Sequence, residues 1–471
     1  MKILLTGATG YIGKRLLPVL LEAGHEVICC VRDKSRFNPP ASIKQKIEIL
    51  QIDLLDKESL KNIPQDINGA FYLVHSMSAA SEYQKMEQES AINFRNALNE
   101  TKVQHVIYLS GIVNETELST HLNSRKTVEL ELSKGNFNLT TLRAGIIIGS
   151  GSASFEIIRD LVEKLPLMVT PKWLNTKCQP IGVADVINLL SKCIFNTKTY
   201  DQNFDIGGPD ILTYKEMLLE FGLIRGLKRK IYTIPVMTPR LSSYWLYFVT
   251  ATSYKLAVAL VHSMKIEVIC RDSTINTLLN VTPKSYKEAI ADAFRKIESN
   301  QIVSSWKDAY SSSENSNHIS DFIQVPTYGC FTDKRKRVFK NKAACAQKIW
   351  SIGGQTGWYY GNWLWQLRGF IDKLVGGVGL RRGRTNQHSL QAGDALDFWR
   401  VLYANNNEVR LLLFAEMKLP GEAWLEFKME NNELLQTATF RPLGLWGRLY
   451  WYAVLPFHGI LFKGMLNKLT N

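Results

Sequence analysis

One glycine-rich stretch near the start of the chain constrains the fold more than any other feature. It reads Gly7-Ala8-Thr9-Gly10-Tyr11-Ile12-Gly13 and lies between a predicted strand at 2–5 and a predicted helix at 14–23. Here the first glycine permits a tight turn, the second lets the backbone approach a pyrophosphate, and the third lets helix and strand pack closely. The helix N-terminus offers unpaired N–H groups to an anion. The stretch therefore predicts a dinucleotide-binding loop, in which the cofactor-binding residues are Gly7, Thr9, Gly10, Tyr11, Ile12 and Gly13.

Strand and helix patterns alternate over the first 150 residues. Further strands are predicted at 26–31, 47–52, 70–74, 106–109 and 139–143, with a helix at 84–101. Alternation of this kind is typical of an α/β fold with a doubly wound parallel sheet, in which ligands bind at the carboxyl ends of the strands. The residues that follow the strands are therefore further candidates for cofactor binding: Arg32, Asp53, Leu54, His75 and Ser110.

The end of the second strand bears on the choice of cofactor. Arg32 comes first, and a guanidinium suits the 2′-phosphate of NADP. Asp33 comes next, and a carboxylate suits the ribose hydroxyls of NAD. We expect the cofactor to be NADP, and NAD remains the alternative. In the interpretation without a function, Arg32 and Asp33 lie in a solvated turn.

These residues resemble the atypical and extended short-chain dehydrogenase/reductase superfamily over about 1–297. The matching motifs are GATGYIG, Val31-Arg32-Asp33, Asp53, Tyr108-Leu-Ser-Gly, Leu142-Arg143 and Pro180-Ile-Gly-Val-Ala-Asp185-Val. Segments 204–210 and 238–245 are similar to the NmrA-like branch and its relatives near the Rossmann-type accessory subunit of respiratory complex I. The resemblance implies an NADP-binding Rossmann domain at 1–303, with a substrate lobe at about 150–300.

The catalytic positions depart from that resemblance. Typical members carry Ser with Tyr-x-x-x-Lys, in which lysine lowers the pKa of the tyrosine so that it can exchange a proton during hydride transfer. Aligning 124–129 with the family's helix puts His121 at the tyrosine position and Arg125 at the lysine position, while Ser110 is retained. Histidine titrates near neutral pH, but arginine cannot share a proton. The candidate catalytic residues are Ser110, His121 and Arg125; for His121 a helix-surface role is the competing interpretation.

The C-terminal third predicts a separate domain. A polar stretch predicts a linker at 304–321, and period-two patterns within 322–471 predict antiparallel strands at 395–403, 409–418, 423–429 and 434–441. An aromatic helix at 445–469 follows, and we expect it to be buried on most sides. A sheet that grips a C-terminal helix resembles the α+β helix-grip (START-like) superfamily. That resemblance implies a cavity for a small lipophilic ligand, and a solid aromatic core is the alternative.

The composition of the chain limits the partners that we expect it to bind. The net charge of +14 permits association with nucleic acid, anionic lipid or phosphorylated ligands. No nucleic-acid-binding motif accompanies the basic run at 334–337, so we expect no nucleic acid. The seven cysteines lack metal spacing and predict neither disulfides nor a metal site. Without a signal segment or a membrane span in the pattern, we expect a cytoplasmic protein. Peripheral contact with a membrane or membrane complex stays open, and the oligomeric state is not predicted.

Two functions of different classes follow. The first is an NADP-dependent oxidoreductase or isomerase that acts on a lipophilic substrate, and the intact cofactor edge favours it. The second is a non-catalytic NADP-binding sensor, lipid-binding or assembly protein, and the missing Tyr-x-x-x-Lys pair favours it. A nucleotide-sugar epimerase is a weaker third interpretation, because those enzymes rely on the tyrosine that this chain lacks.

Overall fold

The computed structural model describes residues 1–34, 37, 39, 41–74, 83–113, 120–234, 258, 261, 263–298, 330–379, 384, 390–392 and 394–471. The chain divides into two compact units: Met1–Lys34 with Pro39–Ser311, and Ser35–Asn38 with Ser312–Asn471. The predicted linker at 304–321, the candidate residue His75 and the segment at 238–245 lie outside the described residues.

Parallel strands form the centre of the first unit. In chain order its strands are β1 (Lys2–Thr6), β2 (Glu26–Val31), β3 (Ile47–Gln51), β4 (Gly69–Tyr72), β5 (His105–Gly111), β6 (Asn138–Ala144), β7 (Ile146–Ile148), β8 (Leu167–Pro171), β9 (Lys177–Cys178), β10 (Pro180–Gly182), β11 (Gln202–Ile206), β12 (Leu212–Thr213) and β13 (Lys230–Ile234). Seven of them form one sheet in the order β11-β6-β5-β4-β1-β2-β3, and every neighbouring pair is parallel. The predicted doubly wound α/β fold is confirmed.

Helices connect these strands. They are α1 (Gly13–Glu22), α2 (Ala41–Lys44), α3 (Lys57–Leu60), α4 (Tyr83–Asn99), α5 (Thr120–Leu132), α6 (Ala153–Lys164), α7 (Val183–Cys193), α8 (Tyr214–Ile224), α9 (Thr274–Leu278) and α10 (Tyr286–Glu298). Strands β4 and β5 are almost wholly buried, as expected of a parallel sheet covered on both faces. Beyond the sheet, α6, α8 and α10 pack through Phe155, Phe221 and Phe294, whose ring centroids lie 5.3–5.7 Å apart.

The strand order creates a crevice. The chain adds β2 and β3 on one side of β1, then returns to place β4 on the other side. Connections therefore leave the carboxyl ends of β1 and β4 in opposite directions. This is the topological switch point at which open α/β sheets bind ligands.

The second unit is an antiparallel sheet with helices. Its strands are β14 (Phe331–Val338), β15 (Ala395–Leu396), β16 (Trp399–Asn405), β17 (Arg410–Ala415), β18 (Gly421–Glu430) and β19 (Glu433–Pro442), and its helices are α11 (Lys342–Trp350), α12 (Asn362–Leu374) and α13 (Gly444–Thr470). The sheet order is β14-β19-β18-β17-β16-β15, so the basic run at 334–337 lies in an edge strand. Trp358 stacks on Trp365 at 5.0 Å between ring centroids, within a core that includes Phe398 and Trp399.

Two expectations for this unit are wrong. The strand predicted at 395–403 is a hairpin, because Leu396 pairs with Trp399 and Asp397 has φ +53°. The C-terminal helix is not buried on most sides: six of its apolar residues between 446 and 460 are between 41% and 79% exposed, namely Trp446, Leu449, Tyr452, Leu455, Phe457 and Ile460. The helix packs one face against β14 and β19 and leaves the other face open.

Candidate functional site

The glycine loop has the close backbone approaches that its sequence predicts. Gly7 has φ +69°, and a Cβ there would lie 2.7 Å from the Leu73 carbonyl oxygen. A Cβ on Gly13 would lie 2.3 Å from the Gly7 carbonyl oxygen, and one on Gly10 would lie 3.1 Å from the same atom. Side chains at these positions would fill the loop or push it apart. The chain therefore follows this path because the three residues are glycines.

Helix α1 presents an open N-terminus to the crevice. No side chain caps it, and its first turn contains no acid. The N–H groups of Ile12 and Gly13 donate to no group in the described part of the chain. Unpaired N–H groups and the positive end of the helix dipole attract an anion. The loop is thus suited to a phosphate group.

Strand β4 completes the crevice beside the loop. The Thr6 hydroxyl donates to the Phe71 carbonyl at 2.9 Å and accepts the Leu73 N–H at 3.2 Å. These bonds fix the carboxyl ends of β1 and β4 against each other. The predicted residue His75 follows this strand and lies outside the described residues.

Tyr11 and Arg15 brace the loop from the other side. The Arg15 guanidinium lies 4.0 Å from the centre of the Tyr11 ring and donates to the Tyr11 carbonyl at 3.2 Å and the Ser150 carbonyl at 2.8 Å. Burial raises the pKa of Tyr11 to about 12, so the phenol stays protonated. Sequence reasoning missed Arg15, since its partner Ser150 is 135 residues away. The only signal in the sequence for this role was the place of Arg15 in the first turn of helix α1.

Strands β2 and β3 deliver polar residues to the same edge. Arg32 is exposed and Asp33 is half-buried directly after β2. Asp53 is half-buried and accepts the Leu55 N–H at 3.0 Å, so one carboxylate oxygen holds the local turn. Leu54 is buried, and its carbonyl accepts the Asn93 side chain at 3.0 Å. Leu54 therefore contributes backbone and packing to this edge.

Ser110 and Arg125 both lie near the end of β5. One Arg125 Nη–H donates to the Leu109 carbonyl at 3.0 Å, whereas its buried Nε–H has no partner in the described part of the chain. The buried Ser110 hydroxyl also has no hydrogen-bond partner within 3.5 Å among the described residues. Burial raises the pKa of Tyr108, and the nearby Ser110 hydroxyl opposes this rise. The Arg125 Nε–H and the Ser110 hydroxyl at the carboxyl edge therefore have no hydrogen-bond partner among the residues that the structure describes.

Helix α5, which carries Arg125, is fixed to the sheet. Glu129 accepts two bonds from the Arg143 guanidinium of β6, at 3.1 and 2.5 Å. His121 lies in the first turn of this helix, but its side chain lies outside what the structure describes. The structure thus places both Ser110 and Arg125 near the end of β5, and the predicted role of His121 stays a prediction. Within the described ranges, no cluster of three or more His, Cys, Asp or Glu could hold a metal ion.

The parallel sheet and the glycine loop define the first unit as a Rossmann-like α/β fold. Residues 1–161 match the NmrA-like family, in agreement with the predicted resemblance. Residues 330–465 match a family described as a protein of unknown function, DUF2867. The START-like resemblance of the second unit stays a prediction.

Individual proteins resemble parts of the chain. Divinyl chlorophyllide a 8-vinyl-reductase of Arabidopsis thaliana, a chloroplastic protein, is 22% identical over 50% of this chain, and the match spans only 60% of its own length. Photosystem II assembly factor Ycf39 of Trieres chinensis is 23% identical over 52% of this chain and 75% of its own. The solved triphenylmethane reductase of Citrobacter sp. shares the fold, with a TM-score of 0.51 and 16% identity over 63% of this chain and all of its own.

Proposed function

We propose that this chain is an NADP-dependent reductase of a lipophilic, conjugated substrate. The observation that carries the proposal is the glycine loop at the switch point between β1 and β4. Its three glycines exclude side chains, and its helix N-terminus leaves N–H groups for a pyrophosphate. Arg32, exposed at the end of β2, is the residue that would bind the 2′-phosphate.

The polar groups at the end of β5 fit a reduction that needs no tyrosine. NADPH, when bound, supplies a hydride, and in a conjugated acceptor the second carbon can take its proton from water. Arg125 would act as a fixed positive charge that stabilises the electron-rich acceptor. Its Nε–H, which has no partner among the described residues, and the Ser110 hydroxyl would donate to a substrate oxygen. Neither residue has to exchange a proton in this role. The missing Tyr-x-x-x-Lys pair is then no obstacle.

The relatives give this choice limited support. Two carry the word reductase in their names, and one name specifies a vinyl group, which is a carbon–carbon double bond. The apolar sequence between 235 and 264 supports a lipophilic substrate. A second function remains: a non-catalytic NADP-binding assembly protein. The Arg125 contact with the Leu109 carbonyl favours it, since that arginine then holds structure, and one relative is named as an assembly factor.

Calorimetric titration with NADPH tests the binding step. Gly10→Val should abolish binding, because the added side chain enters a loop where even a Cβ lies 3.1 Å from a carbonyl oxygen. Gly145→Ala is the matched control, since its Cβ would make ordinary contacts of 3.5 Å with Val268. Unchanged binding by the Gly10 variant would reject the site.

NADPH oxidation with a panel of lipophilic enones and conjugated vinyl compounds tests the reaction. Arg125→Met should lower kcat by about 10²–10³-fold while NADPH binding persists, because it removes a charge that acts on the electron-rich acceptor. Arg125→Lys should retain part of the rate. Tight NADPH binding without turnover of any panel member would favour the non-catalytic function instead.

A further inference from the structure

Helices α12 and α13 expose large apolar side chains that the core does not use. On α12, Trp363 is 66%, Phe370 60% and Leu374 59% exposed, and their spacing of seven and four residues puts them on one side of the helix. On α13, Trp446 is 79% and Ile460 59% exposed. Tryptophan and phenylalanine exposed to this degree, in such numbers, mark an interaction surface. We call these two exposed sides the apolar face.

The two helices contact each other through side chains. The Arg368 guanidinium of α12 lies 5.9 Å from the Tyr450 ring of α13, and Trp365 lies 6.3 Å from Phe462 between ring centroids. Trp365 and Phe462 belong to the buried sides, which pack on the core of the second unit. The apolar face is therefore held by a rigid, packed base.

Positive charge accompanies the apolar face. Residues 330–471 contain 20 Lys and Arg against 10 Asp and Glu, whereas residues 1–329 contain 37 against 33. Arg448 and Lys463 are exposed on α13. Asp372 is the one acid in the sequences of the two helices, and it is buried and accepts the backbone N–H groups of Gly379 and Lys418. The surface thus combines exposed aromatics, cations and no exposed acid on either helix.

We propose that the apolar face binds the surface of an anionic lipid bilayer. Tryptophan and tyrosine favour the boundary between headgroups and acyl chains, and lysine and arginine bind anionic headgroups. The chain lies on the bilayer, because none of the described helices has the length and hydropathy to cross one. A second copy of the chain fits less well, since two units that each carry this excess of positive charge would face each other.

Co-sedimentation of the full-length protein with vesicles tests the proposal. The protein should bind vesicles of phosphatidylcholine with 30% phosphatidylglycerol about tenfold or more tightly than pure phosphatidylcholine vesicles, and 0.5 M NaCl should weaken the binding. Trp363→Gln with Trp446→Gln should lower the binding at least tenfold. Both side chains are largely exposed, so the fold should survive, which circular dichroism verifies. Leu223→Gln, at a residue that is 76% exposed in the first unit, is the control and should change nothing.

The charge contribution has its own variants. Arg448→Glu with Lys463→Glu should lower binding to the anionic vesicles at least tenfold and leave NADPH binding unchanged, whereas Lys102→Glu in the first unit should lower neither. Brominated acyl chains should quench tryptophan fluorescence in the wild type and much less in Trp363→Phe with Trp446→Phe. Equal binding to neutral vesicles, or no vesicle binding with a dimer that Trp446→Gln dissociates in the ultracentrifuge, would overturn the proposal.

Discussion

Arg32 is the residue on which the choice between the two nicotinamide cofactors depends. It is exposed at the end of β2, beside the glycine loop. A charge-assisted bond from its guanidinium to the 2′-phosphate is worth about 1.5–3 kcal/mol, so Arg32→Ala should weaken NADPH roughly tenfold to hundredfold and spare NADH. Titration calorimetry with both cofactors measures this. Equal losses would show that Arg32 does not read the phosphate, and a loss of NADH alone in Asp33→Asn would point to NAD.

His105 is a buried base that should make the first unit sensitive to acid. Its Nδ1 accepts the Phe195 N–H at 3.0 Å, and its Nε2 lies 2.7 Å from the Thr140 hydroxyl. The ring is therefore neutral, with its proton on Nε2. Burial lowers the pKa of His105 to about 4. Between pH 6.5 and 4 the unfolded chain binds a proton that the folded chain rejects, so the free energy of unfolding falls as the pH falls.

We expect this single group to remove about 2–3 kcal/mol of stability between pH 7 and 4. Urea unfolding of the first unit at several pH values measures the slope. His105→Gln should flatten it, because glutamine does not titrate. His458→Gln is the control: His458 also has a pKa lowered to about 4 by burial, but it lies in the second unit. An unchanged slope in His105→Gln would assign the acid sensitivity to other groups.

At the scale of elements, sequence patterns predicted the strands and helices whose bounds depend on neighbouring residues in the chain. The strand predicted at 26–31 is Glu26–Val31, and the helix predicted at 84–101 is Tyr83–Asn99. Apolar runs and turn residues fix such elements within a few positions. The hairpin at Asp397 was missed because a residue in the left-handed region leaves the period-two pattern intact. The exposed side of α13 was missed because composition cannot say what covers a helix.

The residues of the candidate site likewise divide into those that local patterns predicted and those that they did not. Glycine spacing and strand ends located Gly7, Gly10, Gly13 and Ser110 at one edge, because parallel strands align their carboxyl ends. The contact between Arg15 and the Ser150 carbonyl joins segments far apart in the chain. No local pattern contains such a contact, so sequence alone could not supply it.

Arg400 of β16 and Glu416, directly after β17, form a buried ion pair that should dominate the stability of their sheet. The Arg400 guanidinium donates to the Glu416 carboxylate at 2.9 and 3.2 Å, and both side chains are 1% exposed. Glu416→Gln should destabilise the second unit by about 3–5 kcal/mol, because it removes the carboxylate charge that accepts these two bonds from a buried guanidinium. Thermal unfolding monitored by circular dichroism measures this.

Two further variants separate the charge from the packing. Arg400→Met with Glu416→Leu should recover most of the loss, since apolar residues of similar volume need no counter-charge. Glu430→Gln breaks the exposed pair with Lys428 and should cost under about 1 kcal/mol. If Glu416→Gln costs no more than Glu430→Gln, the buried pair is not the dominant contribution.

The two units of the molecule carry different chemistry. The glycine loop and the Ser110–Arg125 pair lie in the first unit, whereas the apolar face and most of the excess positive charge lie in the second. Cofactor binding and bilayer binding should therefore be separable by mutation. Arg448→Glu with Lys463→Glu should lower bilayer binding alone, and Gly10→Val should lower cofactor binding alone.

They should also be separable by proteolysis. The polar composition at 304–321 predicts a protease-sensitive linker, and Lys307 is its one tryptic site. Brief trypsin treatment should therefore cut first after Lys307 and give fragments 1–307 and 308–471, identified by mass spectrometry. Each fragment should resist further cleavage, since each contains most of one compact unit with its own buried core. Fragment 1–307 should retain NADPH binding, and fragment 308–471 should co-sediment with anionic vesicles.

Lys307→Gln should slow the first cut without changing either binding activity. First cuts within the sheet of either unit, or loss of both activities on cleavage at Lys307, would show that the two units depend on each other to fold.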